Sequence, residues 1–144
     1  NIEFNINESV NFDGNSGPYI QYVYVRCQSV LKKANANNER MESSFAKASE
    51  DKQYNNVNTD ELNVLRLINQ FPETVQQAAI QLAPNLIANS LYELAQKYNY
   101  FYQKNKILES EEKTRLFRLM LTQAVGKIIK EGLYLLGINT VERM

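Results

Sequence analysis

The stretch INQFPETVQQAAIQLAPNLIANSLYELAQKYNYFYQKNKIL, Ile68 to Leu108, decides the fold. Val75, Ala78, Ala79 and Leu82, then Ile87, Leu91, Leu94, Ala95 and Tyr98, recur at the three- and four-residue spacing of a helix with one buried face. Pro72 and Pro84 each suit a first helical turn, where the missing N–H costs nothing. The spacing therefore predicts one helix ending near Phe71, a second opening at Pro72 and a third opening at Pro84.

Upstream, Asn58 and Thr59 are good caps, and Asp60 and Glu61 in the next turn suit the positive end of a helix dipole. Leu62, Leu65 and Ile68 are expected on the buried face of that helix. Downstream, Ser110 followed by Glu111 and Glu112 signals another start, with Leu116, Leu119, Met120, Ala124, Ile128 and Leu135 as its apolar positions and Gly137 as its stop. Nearer the beginning, Pro18 opens a helix to about Lys33, with Ile20, Val23, Cys27, Val30 and Leu31 on one stripe. Strand-type alternation is confined to a loose pattern in the first residues, and no fixed-period repeat is present. The expected fold is all-α, a bundle of about five helices.

Residues 35–58 are rich in Asn, Ser, Lys and Glu without a sustained period and are expected to form a mobile insertion. Residues 1–17 read as a lead-in ending in a Gly14–Gly17 turn, which leaves 18–144 as the helical domain.

Composition removes much chemistry. The chain has one cysteine, Cys27, and no histidine, so disulfide frameworks, Cys/His zinc sites and imidazole triads are excluded. Lys plus Arg equals Asp plus Glu, 16 against 16, so any nucleic-acid contact must come from a local surface. No apolar run approaches a membrane span. The chain starts at Asn1 without a secretory pattern and reads as a fragment of an intracellular, cytoplasmic protein. The Gly14–Gly17 loop lacks both the phosphate-loop lysine and the dinucleotide fingerprint. Glu111, Glu112, Glu131 and Glu142 sit where solvated helix faces place carboxylates, and Cys27 reads as a small core hydrophobe. No catalytic residue is expected.

Two aromatic groups remain. In GPYIQYVYVR, Gly17–Arg26, the residues Tyr19, Tyr22 and Arg26, followed by Ser29, form a second stripe beside the apolar one. In KYNYFYQK, Lys97–Lys104, four rings lie between lysines. Rings beside cations hold unstacked RNA bases, but tyrosines also pack with a wet hydroxyl, and spacing alone favours packing over RNA contact. Tyr98 is assigned to the core.

Three segments carry a family resemblance. FDGNSGPYIQYVYVRCQSVLKK resembles the junction between catalytic and anticodon-binding domains of arginyl-tRNA synthetases. INQFPETVQQAAIQLAPNLIANSLYELAQKYNYFYQKNKIL continues the likeness, and RLFRLMLTQAVGKIIKEGLYLLGINTVERM is similar to that family's carboxy terminus. The resemblance implies an all-helical anticodon-binding domain of the class Ia synthetases, joined in the intact enzyme to a catalytic domain that uses ATP with Mg. The catalytic HIGH-type and KMSK-type motifs are missing, so no cofactor is expected in this chain. The 35–58 segment has no counterpart in the family pattern.

Arginine codons all carry G in the middle, so an arginine anticodon presents a middle cytosine. The implied partner is the tRNA(Arg) anticodon loop, not DNA or a membrane. By the same resemblance Tyr19, Tyr22, Arg26, Tyr102, Lys106 and Met144 match positions that approach it. Tyr22 and Tyr102 would stack bases, Arg26 would hold a base edge or phosphate, and the Met144 carboxylate would accept from the cytosine amino group. Lys106 stands where relatives carry a ring and offers phosphate attraction instead. A helical protein-interaction domain and a purely architectural bundle are the competing readings.

Overall fold

The computed structural model describes residues 17–36 and 57–143, which hold four helices: α1 Gly17–Ala36, α2 Thr59–Gln81, α3 Asn85–Lys104 and α4 Glu112–Leu135. No strand occurs among the described residues, so the all-α expectation stands. Among the described residues there are four helices where about five were expected, because Pro72 lies inside α2 instead of opening a new helix. A proline in a helix interior costs about 3 kcal/mol. Here Pro72 points outward, while Phe71 before it and Ala78 after it are buried, so packing holds both halves in one helix. The lead-in, almost all of the 35–58 insertion and Met144 lie outside the described residues.

α2 starts on a capping box. The Asn58 side chain accepts from the Glu61 N–H at 2.9 Å, and the Asn58 N–H donates to Glu61 Oε2 at 2.8 Å. The helix ends with Leu82 in the left-handed region at φ 51°, where Leu82 N–H reaches Ala79 O and Ala83 N–H reaches Ala78 O at 2.9 Å. α4 ends the same way on the expected residue. Gly137 has φ +75°, its N–H bonds to Tyr134 O at 2.9 Å, and Ile138 N–H bonds to Leu133 O at 2.9 Å.

α3 and α4 occupy the middle, and α1 and α2 each pack on both. α2 and α3 are antiparallel neighbours: Asn58 at the start of one donates to Asn105 just past the end of the other at 2.8 Å. α1 also runs antiparallel to α4, since Gln21 donates to Asn139 O at 2.7 Å while Cys27 lies beside Gly126. α1 and α3 run parallel, so Tyr19 meets Tyr92 and Arg26 meets Asn99, a step of seven residues on each helix.

The core contains Ile20, Val23, Cys27 and Val30 from α1 and Ile87, Leu91, Leu94, Ala95, Tyr98 and Phe101 from α3, all buried as the periodicity predicts or, for Phe101, one turn beyond it. The other two helices turn differently from expectation. In α2, Val64, Phe71 and Ala78 face inward with Glu61, Leu65 and Ile68 are partly buried, and Leu62 is exposed. In α4, Leu119, Leu121, Thr122, Val125, Gly126, Ile129, Gly132 and Leu133 are buried, whereas Leu135 is exposed. One α3–α4 contact has no room for a side chain: a Cβ at Gly132 would stand 2.6 Å from Leu91 Cδ2. No described helix is long and apolar enough to cross a membrane.

Candidate nucleic-acid interface

At the end of the bundle where α3 stops, α1 and the Asn105–Glu111 connection enclose an open groove of about 700 Å³. Tyr22, Arg26, Ser29 and Lys33 line it from α1, Tyr102 and Lys104 from α3, and Lys106 and Glu109 from the connection. Four cationic side chains face one carboxylate there, although the whole chain is neutral. Cation and ring are held together by helix spacing, since Tyr22 and Arg26 are one turn apart on α1.

Arg26 is the hub. Its guanidinium carbon lies 4.6 Å from the centroid of the Tyr22 ring and 4.6 Å from that of Tyr102, within cation–π range of both. Its two terminal nitrogens donate to the Tyr22 hydroxyl and to Asn99 Oδ1. The rings remain available, Tyr22 at 39% and Tyr102 at 37% exposure. Behind them Tyr98 is fully buried, 6.5 Å from Tyr102 ring to ring, and its hydroxyl meets Thr122 Oγ1 at 3.2 Å. Burial raises the Tyr98 pKa and pushes the neighbouring Cys27 thiol up to about 12. Both are uncharged core groups at neutral pH.

The structure therefore gathers Tyr22, Arg26, Tyr102 and Lys106 around one space. Tyr19 is not brought there: it is partly buried edge-on against Tyr92 at 5.6 Å, and burial raises its pKa against the opposing hydrogen bond to Asn99. The proposed role of Met144 lies outside the described residues. Lys106 pairs with Glu109 at 2.7 Å on the surface; this bond raises the lysine pKa and lowers that of the carboxyl, keeping both charged at neutral pH. Lys104, at the groove edge, lies 4.3 Å from the Tyr100 ring centroid.

Sequence reasoning missed Lys33 and Asn99, which carry no local signal beyond their helix position. It also missed Arg118, whose Nε donates to the buried Glu61 Oε1 at 2.7 Å and whose Nη1 donates to Lys106 O at 2.7 Å. A charged residue inside the apolar FRLML run of α4 was the available clue.

Rings interleaved with cations on one surface are the arrangement with which proteins in general hold single-stranded nucleic acid. The family model "DALR anticodon binding domain" matches residues 20–144, and the chain belongs to that family. Its relatives are synthetases. It is 38% identical over 141 residues to the arginine–tRNA ligase of Halothermothrix orenii, covering 98% of this chain and 23% of that protein. The Flavobacterium psychrophilum arginine–tRNA ligase is 40% identical over 142 residues, 98% of this chain and 22% of its own length. Among solved structures, Thermus thermophilus arginyl-tRNA synthetase superposes with a TM-score of 0.79 at 28% identity, covering 99% of this chain and 24% of that one. The chain thus spans under a quarter of the length of these relatives.

Proposed function

We propose that this chain is the anticodon-reading part of an arginine–tRNA ligase and that its groove takes the tRNA(Arg) anticodon loop. The observation that carries this reading is the assembly of Tyr22, Arg26, Tyr102 and Lys106 around one groove in a DALR-family domain. Tyr22 and Tyr102 stack splayed bases, Arg26 donates to a base edge or phosphate, and Lys106 attracts phosphate. Tyr19 acts from behind, through Asn99, which it shares with Arg26.

The ligase reaction, with ATP and Mg, belongs to a catalytic domain outside this chain, in a cytoplasmic enzyme. Ile80, Leu82, Tyr134 and Leu135 are exposed where α2 and α4 finish, at the end of the bundle away from the groove. That placement suits packing against the rest of the enzyme while the groove faces RNA. Residues 1–17 then lead in from the catalytic domain.

The test is a fluorescence titration of the chain with an arginine anticodon stem-loop and with the same loop carrying U for the middle C, at two salt concentrations. Tighter binding of the native loop, weakened by salt, is expected. Equal binding of both loops, or none, would leave the protein-interaction and architectural readings in place.

A further inference from the structure

The wall of the groove formed by Asn105–Glu109 has no regular secondary structure of its own, yet its carbonyls and side chains are gripped from behind. Arg118, on α4, does not line the groove. Its Nη1 donates to Lys106 O at 2.7 Å and to Ser110 Oγ at 2.9 Å, and its Nη2 approaches Asn105 Oδ1 at 3.4 Å. Nε donates to Glu61 Oε1 at 2.7 Å. One planar guanidinium therefore ties three points of the connection to a buried carboxylate.

Glu61 is 1% exposed and divides its two oxygens between Arg118 and the capping box of α2. Asn105 completes the clamp, accepting from Asn58 Nδ2 at 2.8 Å and donating to Phe101 O at 3.0 Å, one residue before the ring of Tyr102. Such an arrangement places a buried ion pair where its value lies in geometry, since a buried pair adds little net stability over apolar packing. A guanidinium spreads five donors over a rigid planar fork, so it reaches oxygens on opposite sides that the single nitrogen of an ammonium is poorly placed to hold together.

We propose that Arg118, held by Glu61, is a positioning residue for the groove: it fixes the Asn105–Glu109 wall, and so the reach of Lys106 and the setting of Tyr102, without touching RNA. This rests on the anticodon reading above for its functional half, while its structural half stands on the wall alone.

The decisive variant is Arg118→Lys in the chain, which keeps the charge beside Glu61 but loses the fork that grips Lys106 and Ser110. Three quantities are read: the melting temperature, amide hydrogen exchange across Asn105–Ser110, and affinity for the arginine anticodon stem-loop. The expected result is a folded protein with faster exchange in that segment and affinity lowered about tenfold, the size of a lost charge-assisted hydrogen bond. Ile129→Val, which trims the core about three turns farther along α4 from Arg118, is the control and should leave affinity unchanged at a comparable loss of stability. Should Arg118→Lys fail to fold, Ser110→Ala keeps the Arg118 bonds to Lys106 O and Glu61 while removing the hydroxyl that accepts from Arg118 and donates to Lys106 O, and should speed exchange and weaken binding by a smaller factor.

Unchanged exchange in a folded variant overturns the proposal, as does faster exchange with wild-type affinity. If the unmodified chain binds no loop at all, the anticodon reading falls, and exchange alone decides whether Arg118 holds the wall.

Discussion

Replacing Tyr102 by Ala separates stacking from folding more cleanly than any other change in the groove. The ring is 37% exposed and sits at the last turn of α3, so little core area is lost with it. What disappears inside the protein is its face toward Arg26 at 4.6 Å and a tilted contact with Tyr98, together about 1 kcal/mol of stability at a partly exposed site. What disappears on binding is one base–ring stack, about 1–3 kcal/mol, or roughly 5- to 150-fold in Kd. Tyr102→Phe keeps the ring and should stay near the unmodified value. The assay is titration with the native anticodon stem-loop and its middle-C-to-U partner, with thermal melts alongside. A Tyr102→Ala protein that melts normally and still binds the native loop with unchanged affinity would refute the stacking argument. Equal weakening for both loops would limit Tyr102 to sequence-tolerant stacking.

Other outcomes concern the scaffold. Gly132→Ala places a methyl 2.6 Å from Leu91 Cδ2, a fully buried side chain, and should destabilise by about 1–2 kcal/mol after the gain in helix propensity is subtracted. Gly126→Ala meets Cys27 Cβ at 3.4 Å and Gln28 Nε2 at 3.6 Å, ordinary contacts, and should be neutral or stabilising, so a urea melt in which both variants match the unmodified chain contradicts the packing argument. Leu82→Gly relieves a left-handed backbone at a side chain 88% exposed and should raise stability by about 0.5–1 kcal/mol in the same melts; a loss would mean that Leu82 makes contacts worth more than the strain. Above pH 9 the unfolded chain releases the Cys27 proton, and above pH 10 that of Tyr98, while the folded chain keeps both. The unfolded state then binds fewer protons, so stability falls as pH rises toward about 12, by up to about 1.4 kcal/mol per pH unit for each group. Urea melts at pH 8 and 10.5 check this, and Cys27→Ala with Tyr98→Phe should flatten the slope.

The helices whose buried faces were legible are those packed with large apolar residues. In α1 and α3 the periodic positions Ile20, Val23, Cys27, Leu91, Leu94 and Tyr98 are the core. α4 was harder because its tightest contacts use Gly126, Gly132 and Thr122, which no hydrophobicity pattern selects. In α2 five apolar residues between Leu62 and Ile68 cover most of the helix circumference, and the face is settled by Glu61 turning in toward Arg118, 57 residues away. The groove was half legible for the same reason. Tyr22 with Arg26 and Tyr102 with Lys104 are each local patterns on one helix, whereas the placement of Lys106 depends on a carbonyl held by α4. Pro72 misled because propensity favours a helix start there and tertiary packing overrides it.

Arg26 clasps both Tyr22 and Tyr102 and is itself moored to Asn99 by contacts made wholly within the chain. Three long side chains that would otherwise sample many rotamers thus surrender that freedom when the chain folds. Ordering such side chains at an interface otherwise costs about 0.5–1.5 kcal/mol each at the moment of binding. An incoming base therefore meets a clasp already set, and affinity lost by loosening it, as in Asn99→Ala, would be entropic in origin although no direct contact to RNA had been removed.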